Sequence, residues 1–238
     1  MMKKIGFTLA ETLITLGIIG VVAVMTLPGI INNTSERQTV IKLKRTYSIL
    51  QNVVLKMRAQ NGDLNEWVDD STEYLLQELS KNLAVIKKCN SAADCSVGFA
   101  MTYPAITLND GTAIAVASRN PNNGTGLVCS AQVSTRSRIE LHYNSCATVL
   151  VDINGKGKPN EYGKDIFEFR FFTNGVLPNG INNKESLPNV EAENFDTCLN
   201  NKGNSGTCTA WVIINENLDY LHCPEKIGWN KAKSCKDK

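Results

Sequence analysis

The hydrophobic pattern of the chain changes character near residue 32 and again after Gly62. Between Lys4 and Glu36 the only charged residue is Glu11. From Thr12 to Ile31 the residues are almost all apolar, with no polar face at any helical or strand period. At about 1.5 Å rise per residue, such a run crosses a hydrocarbon core of roughly 30 Å. Beyond Ser35 the pattern becomes amphipathic. Val40, Leu43, Tyr47, Leu50, Val54 and Met57 recur at three- and four-residue steps, so they share one helical face. Lys42, Arg45, Lys56 and Arg58 fall on the opposite side. Asn61-Gly62 is suited to end the helix. A helix from Phe7 to Gln60 would be roughly 80 Å long.

After Gly62 the periods shorten. Ser71 to Lys88 has helical spacing, with Leu75, Leu79, Leu83 and Ile86 on one side. Tyr103 to Ser118 reads as two strands around Asn109-Asp110-Gly111, because Asp-Gly supplies the positive φ angles of a tight hairpin. Arg138–Tyr143, Ala147–Asp152 and Ile166–Thr173 alternate or run apolar, as strands do. Thr209–Asn215, with Trp211, Val212, Ile213 and Ile214 in a row, is predicted as the last strand. Val176–Asn204 is rich in Asn, Gly and Pro and is predicted as loop.

Charge sharpens this division. Residues 1–60 hold eight basic and two acidic residues, and residues 61–238 hold 17 basic and 21 acidic. No bulk excess points to nucleic acid, and the basic face at 37–58 reads as a solvated helix surface or a contact with an acidic neighbour. All eight cysteines lie at or beyond residue 89, in close pairs: Cys89/Cys95, Cys129/Cys146, Cys198/Cys208 and Cys223/Cys235. Eight cysteines allow on the order of a hundred pairings, and neighbours in sequence are preferred here. Disulfides formed in an oxidising compartment are expected, since the two-to-four-residue spacing of zinc pairs is missing.

The start of the chain carries the most specific signal. An ordinary secretory signal has a shorter apolar region and a small-x-small cleavage site, and Ala23-Val-Met25 is a poor one. A carboxylate near the start of a membrane helix costs about 2–3 kcal/mol, less near the interface, so Glu11 is unusual in a plain anchor. In isolation it is a first-turn acid facing the helix dipole. The frame Lys3-Lys4-Ile5-Gly6-Phe7-Thr8-Leu9-Ala10-Glu11-Thr12-Leu13 resembles the leader of type IV pilins and type II secretion pseudopilins. That resemblance implies cleavage after Gly6 by a prepilin peptidase/methyltransferase and N-methylation of the new terminus at Phe7. It also implies that Glu11 stays in the mature helix and meets the Phe7 ammonium of a neighbouring subunit, since a buried carboxylate needs a cationic partner. Gly20 and Pro28 stand where many pilins carry a loosened, kinked helix.

The implied division is a leader at 1–6, a transmembrane and assembly helix at 7–31, an amphipathic helix at 32–61 and an exported globular domain at 62–238. The implied fold is α+β: a long N-terminal helix packed on a disulfide-rich antiparallel β-sheet domain. The implied partners are homologous subunits in a helical filament and, indirectly, an assembly platform and ATPase, with no nucleic acid. The implied place is the cytoplasmic membrane, with the C-terminal domain outside the cytoplasm and later in a filament. One rule opposes this orientation. Lys3 and Lys4 precede the span, whereas Arg37, Lys42, Lys44 and Arg45 follow it, so positive-inside counting favours an external N-terminus. The leader implies a cytoplasmic one.

Candidate chemistry is sparse. Asp152-Ile-Asn154-Gly155, followed by Pro159-Asn160 and Asp165, resembles the opening of a calcium loop, with oxygen donors at alternate positions. Lys156 stands where a third oxygen would be wanted. The residues suit Asx and Gly turns between strands equally well, so Asp152, Asn154 and Asp165 are candidate calcium ligands and no other cofactor is expected. None of the common nucleophile, metalloprotease, P-loop or dinucleotide motifs occurs, and His142 and His222 have no nucleophile partner in sequence. No enzymatic activity is therefore expected. Trp211, Tyr220 and Trp229 read as core or as a binding surface. The competing class of function is a membrane-anchored exported binding module or adhesin that does not polymerise.

Overall fold

The structure is a computed structural model and describes residues 8–62, 72–95, 103–118, 131–135, 138–142, 145–172, 175–181 and 195–237; for 27–33, 118, 131–135, 138–142 and 145 it describes backbone only. The chain divides into two units, residues 1–38 and 39–238.

The first unit contains the N-terminal part of helix α1, Leu9–Asn61. Leu9–Thr26 has mean hydropathy 2.0 over 18 residues and is long and apolar enough to cross a membrane, and none of it is buried. Its hydroxyls do not need water. Thr12 Oγ1 donates to Leu9 O at 2.8 Å, Thr15 Oγ1 to Thr12 O at 3.0 Å and Thr26 Oγ1 to Val22 O at 3.0 Å. Each polar side chain is thus satisfied inside its own turn, as a lipid-facing helix requires. Gly20 and Pro28 lie inside the continuous helix. No atom outside the helix backbone comes within 4 Å of a Cβ built at Gly20, and the side chain of Pro28 lies outside the described residues.

The second unit is a six-stranded sheet in the order β1-β2-β3-β6-β7-β8, antiparallel throughout. The strands are β1 Val85–Cys89, β2 Ala105–Leu108, β3 Ala113–Ser118, β6 Ser145–Asp152, β7 Ile166–Phe172 and β8 Gly175–Pro178. β4 Ala131–Thr135 and β5 Arg138–His142 form a separate hairpin. Strand alternation gives the sheet two different faces. Ile114, Val116, Val149, Val151, Phe167, Phe169 and Phe171 share one apolar cluster with Leu43, Leu50, Val54 and Met57 of α1. Tyr47 stacks on Phe169, with ring centroids 5.4 Å apart. α2, Thr72–Lys81, adds Leu75 and Leu79 to the same cluster. The other face carries small residues, Ala105, Ala113 and Ala115, under α3, Ala92–Cys95. These short side chains let α3 approach the sheet closely. The result is α+β, helices on a six-stranded antiparallel sheet, as the sequence predicts.

The β2–β3 hairpin turns where Asp110-Gly111 predicts it. Gly111 has φ +86° and Thr112 N–H donates to Asp110 Oδ1 at 3.1 Å. Three other expectations are corrected. Helix α2 stops at Lys81, and Ala84–Cys89 is not helical: Val85–Cys89 is edge strand β1, with Ile86 68% exposed rather than inward. The β-branched pair Val85-Ile86 gains strand pairing with β2 that a further helical turn does not offer. The predicted loop at 176–204 contains most of β8 and, at its end, α4, Phe195–Asn200.

Thr209–Asn215 is helix α5, not a strand. Ser205 Oγ accepts the Thr207 N–H at 3.3 Å and caps a short 3₁₀ turn at Gly206–Cys208, which leads straight into the helix. The contiguous run Trp211–Ile214 hid the helical period, since four apolar residues in a row fit either structure. In α5 Trp211 and Val212 are buried, while Ile214 is half exposed.

Three disulfides lie among the described residues, Cys89–Cys95, Cys198–Cys208 and Cys223–Cys235, each pairing neighbours in sequence. Cys146 is also disulfide-bonded, and Cys129 lies outside the described residues. The aromatic residues near the C-terminus form core rather than surface. Trp211 and Tyr220 are fully buried, Phe195 stacks on Trp211 at 4.2 Å, and Trp229 packs 5.4 Å from Trp211.

Candidate functional site

Two groups of residues carry the functional expectations, the start of α1 and the turn at 152–165. Gly6 and Phe7 lie outside the described residues. Glu11 is described, and its carboxylate turns back on its own chain. Its Oε2 accepts the Thr8 N–H and the Thr8 Oγ1–H, both at 2.8 Å, while the Glu11 N–H donates to Thr8 Oγ1 at 3.3 Å. This is a reciprocal capping box, in which the first-turn acid and the cap hydroxyl satisfy each other's backbone donors. Thr8 was not singled out in the sequence, although Thr8-x-x-Glu11 ahead of an apolar run is the signature of that motif. Within one chain, the capping box is what holds this carboxylate next to the apolar run.

The turn at 152–165 does bring Asp152, Asn154 and Asp165 together. Asp152 is fully buried and Asp165 nearly so. Asp152 Oδ1 accepts the N–H groups of Asn154 at 3.1 Å and Gly155 at 2.8 Å. Asp165 Oδ1 accepts from Glu161 N at 2.8 Å, and its Oδ2 accepts from Asn160 N at 2.7 Å and Asn154 Nδ2 at 3.1 Å. Asn154 Nδ2 also donates to Lys158 O at 3.2 Å. Each carboxylate therefore faces nitrogen donors, as in Asx turns. A hard cation takes oxygens that converge on one point, and a carboxylate oxygen that accepts one N–H keeps a further lone pair. Only the side-chain oxygens of Asn154 and Asn160 are buried without a partner here. The turn thus gathers the oxygens of Asp152, Asn154 and Asp165 in one place and closes on itself through the N–H donors of Asn154, Gly155, Asn160 and Glu161.

The same turn is anchored by close backbone approaches. Gly163 has φ +74°, and a Cβ there would sit 1.9 Å from the carbonyl oxygen of Gly203. Tyr220 Oη donates to Gly163 O from the buried aromatic core. The carboxylate of Asp219 lies close to the sulfurs of Cys223 and Cys235, but those sulfurs are bonded to each other and are not thiolate ligands. Asp219 Oδ2 instead accepts the Cys235 N–H at 2.6 Å.

Two tyrosines next to the sheet have raised pKa values. Burial pushes Tyr47 up, and burial together with the charge of Glu168 pushes Tyr162 up. No family model, curated protein or solved structure matches the chain. What stands is an N-terminal apolar helix, a span or a signal, ahead of a disulfide-bonded antiparallel sheet, the pattern of an exported or membrane-anchored protein.

Proposed function

We propose that the chain is a prepilin-like structural subunit of a type IV pilus or a type II secretion pseudopilus. In this reading it is processed after Gly6, N-methylated at Phe7, held in the cytoplasmic membrane and polymerised through its N-terminal helix. One observation carries the reading: an 18-residue apolar helix, none of it buried among the described residues, starts with a single carboxylate, Glu11, in a leader-like frame. The same helix ends as a packed element of an antiparallel domain. An exposed apolar surface of that length needs lipid or other copies to cover it. A lone carboxylate there supplies register once a cation meets it, as a single buried polar group does in a coiled coil.

The capping box is compatible with this. Both Thr8 donors meet Oε2 of Glu11, so Oε1 can take a neighbour's ammonium while the cap stays formed. A charge-assisted pair in an apolar surrounding is strong. That same capping box also favours the second reading, a membrane-anchored exported binding module that does not polymerise, since Glu11 then has its partner already.

The test is N-terminal and intact mass spectrometry on protein from its own membranes, followed by Glu11→Ala. A chain beginning at Phe7 with one added methyl, and loss of filaments in Glu11→Ala, is the expected result. A chain retaining Met1 to Gly6, with Glu11→Ala indistinguishable from wild type, would replace the proposal with the anchored module.

A further inference from the structure

The turn between β6 and β7 holds a buried charge without a counter-charge. Asp165 is 2% exposed, and no ion pair among the described residues includes it. Its neighbour Lys164 pairs with Glu161 instead. Only N–H groups meet the carboxylate: Oδ1 accepts from Glu161 N, and Oδ2 accepts from Asn160 N and Asn154 Nδ2. A carboxylate taken out of water is costly unless a cation compensates it, and a metal ion is one such cation.

The Asn154 carboxamide marks where a cation fits. Its nitrogen stands 3.1 Å from Asp165 Oδ2 and 3.2 Å from the carbonyl oxygen of Lys158, so two oxygens from different parts of the turn converge on one point. Its own Oδ1 is buried and accepts no hydrogen bond, and the same holds for Oδ1 of Asn160, the residue whose N–H reaches Asp165. Turning the carboxamide over therefore costs Oδ1 nothing and brings it to the place of the nitrogen, beside Asp165 Oδ2 and Lys158 O. Three oxygens meeting there need a cation between them. Gly157 makes room for this side chain, since a Cβ there would stand 3.0 Å from Asn154 Cγ. Asp152 fixes its backbone, because Asp152 Oδ1 accepts the N–H groups of Asn154 and Gly155.

We propose that this turn is a calcium site with Asp165 Oδ2, Asn154 Oδ1 and Lys158 O as ligands and Asp152 as a positioning residue. An all-oxygen set suits a hard cation, and an irregular loop suits calcium better than the strict octahedron of magnesium. Calcium takes about six to eight oxygens, so water supplies the rest. In the calcium-free turn the Asn154 amide takes the place of the ion. The inference concerns the sheet domain alone and does not rest on the subunit reading.

The experiment uses the full chain in detergent micelles, stripped with a chelator. Its urea unfolding midpoint is read by tryptophan fluorescence at constant ionic strength, with calcium or magnesium added up to about 10 mM. The midpoint should begin to rise at about 0.1–1 mM calcium, the range of exported calcium modules, and should respond less to magnesium. Asn154→Asp adds a charge to the ligand set and removes the amide that closes the calcium-free turn. Its midpoint should fall in chelator and recover in calcium, and the calcium needed should be at least about fivefold lower than for wild type. Asp165→Asn should lose the calcium response; should that variant fail to fold, Asn154→Asp decides. A wild-type midpoint indifferent to calcium overturns the proposal. So does an equal response to magnesium, or a loss in Asn154→Asp that calcium fails to restore.

Discussion

Residues 9–26 and residues 40–57 belong to one helix and obey opposite rules. In the first stretch the large apolar side chains Leu9, Leu13, Ile18, Val24 and Met25 are all more than half exposed. In the second, Val40, Leu43, Leu50, Val54 and Met57 are buried, and charges occupy the far side. The backbone is the same; the difference is whether apolar positions leave a polar face. A helix with one stripe can finish its folding inside its own chain. A helix apolar all round cannot, and its stability is set by what surrounds it. The comparison separates a region whose energetics are written within the chain from one whose energetics depend on lipid or neighbours.

A pair of matched truncations should give the largest difference between the two stretches. Leu50→Ala removes a fully buried side chain from the helix–sheet core and should cost about 2–5 kcal/mol. Leu16→Ala, at an exposed position, should leave the unfolding midpoint of the sheet domain unchanged. Denaturation in detergent micelles, followed by fluorescence of the buried Trp211, measures both. Equal losses would mean that the two stretches are energetically one.

The disulfides extend the same contrast, because every cysteine lies at or beyond residue 89, in the domain that packs on residues 40–57. Cys198→Ala/Cys208→Ala opens the loop that holds α4 against the 3₁₀ turn before α5 and should cost about 2–4 kcal/mol by the chain-entropy argument. Far-ultraviolet dichroism of the apolar helix should not change.

The parts of the molecule legible in sequence are those decided locally. Spacing of 3 and 4 found the buried face of α1, Asp110-Gly111 found a hairpin, and closeness in sequence found three cysteine pairs. The missed parts depend on distant neighbours. Trp211–Ile214 became helical because Ser205 and the Cys198 bridge set up the turn before it. Gly163 and Gly180 are required because the backbones at Gly203 and Thr207 approach them, and no residue nearby in sequence announces that. Of the candidate site, Glu11 was visible as an isolated charge. Its partner Thr8 was also visible as a capping pattern, while Asp165 became a turn acceptor only through donors at Asn160 and Glu161.

A smaller effect separates the ends of α1. Thr8→Val removes both the side-chain donor to Glu11 and the hydroxyl that accepts the Glu11 N–H. Loss of such a cap should cost about 1 kcal/mol, confined to the first turn. Amide exchange should quicken near Leu9 to Thr12, with the sheet domain unmoved.

The smallest effect is an alkaline one, confined to the packed region. Tyr47 is held by Phe169, accepts from Gln51 Nε2 at 2.8 Å and has its pKa raised by burial. Tyr162 shifts the same way. A raised folded pKa means that the folded state keeps its proton longer than the unfolded state. The resulting stabilisation is complete below the ordinary tyrosine value of about 10, and it is lost as pH rises through the raised folded values. The unfolding midpoint of the sheet domain should therefore fall above about pH 10. Tyr47→Phe keeps the ring stack but removes the titrating hydroxyl, so the fall should become shallower, and Tyr47→Phe/Tyr162→Phe should flatten it further. An alkaline fall of equal steepness in all three proteins would place its origin elsewhere. Lys81 is the first alternative, because its pKa is raised by the hydrogen bond to Glu78 and its deprotonation in the same range would break the pair that α2 makes with itself.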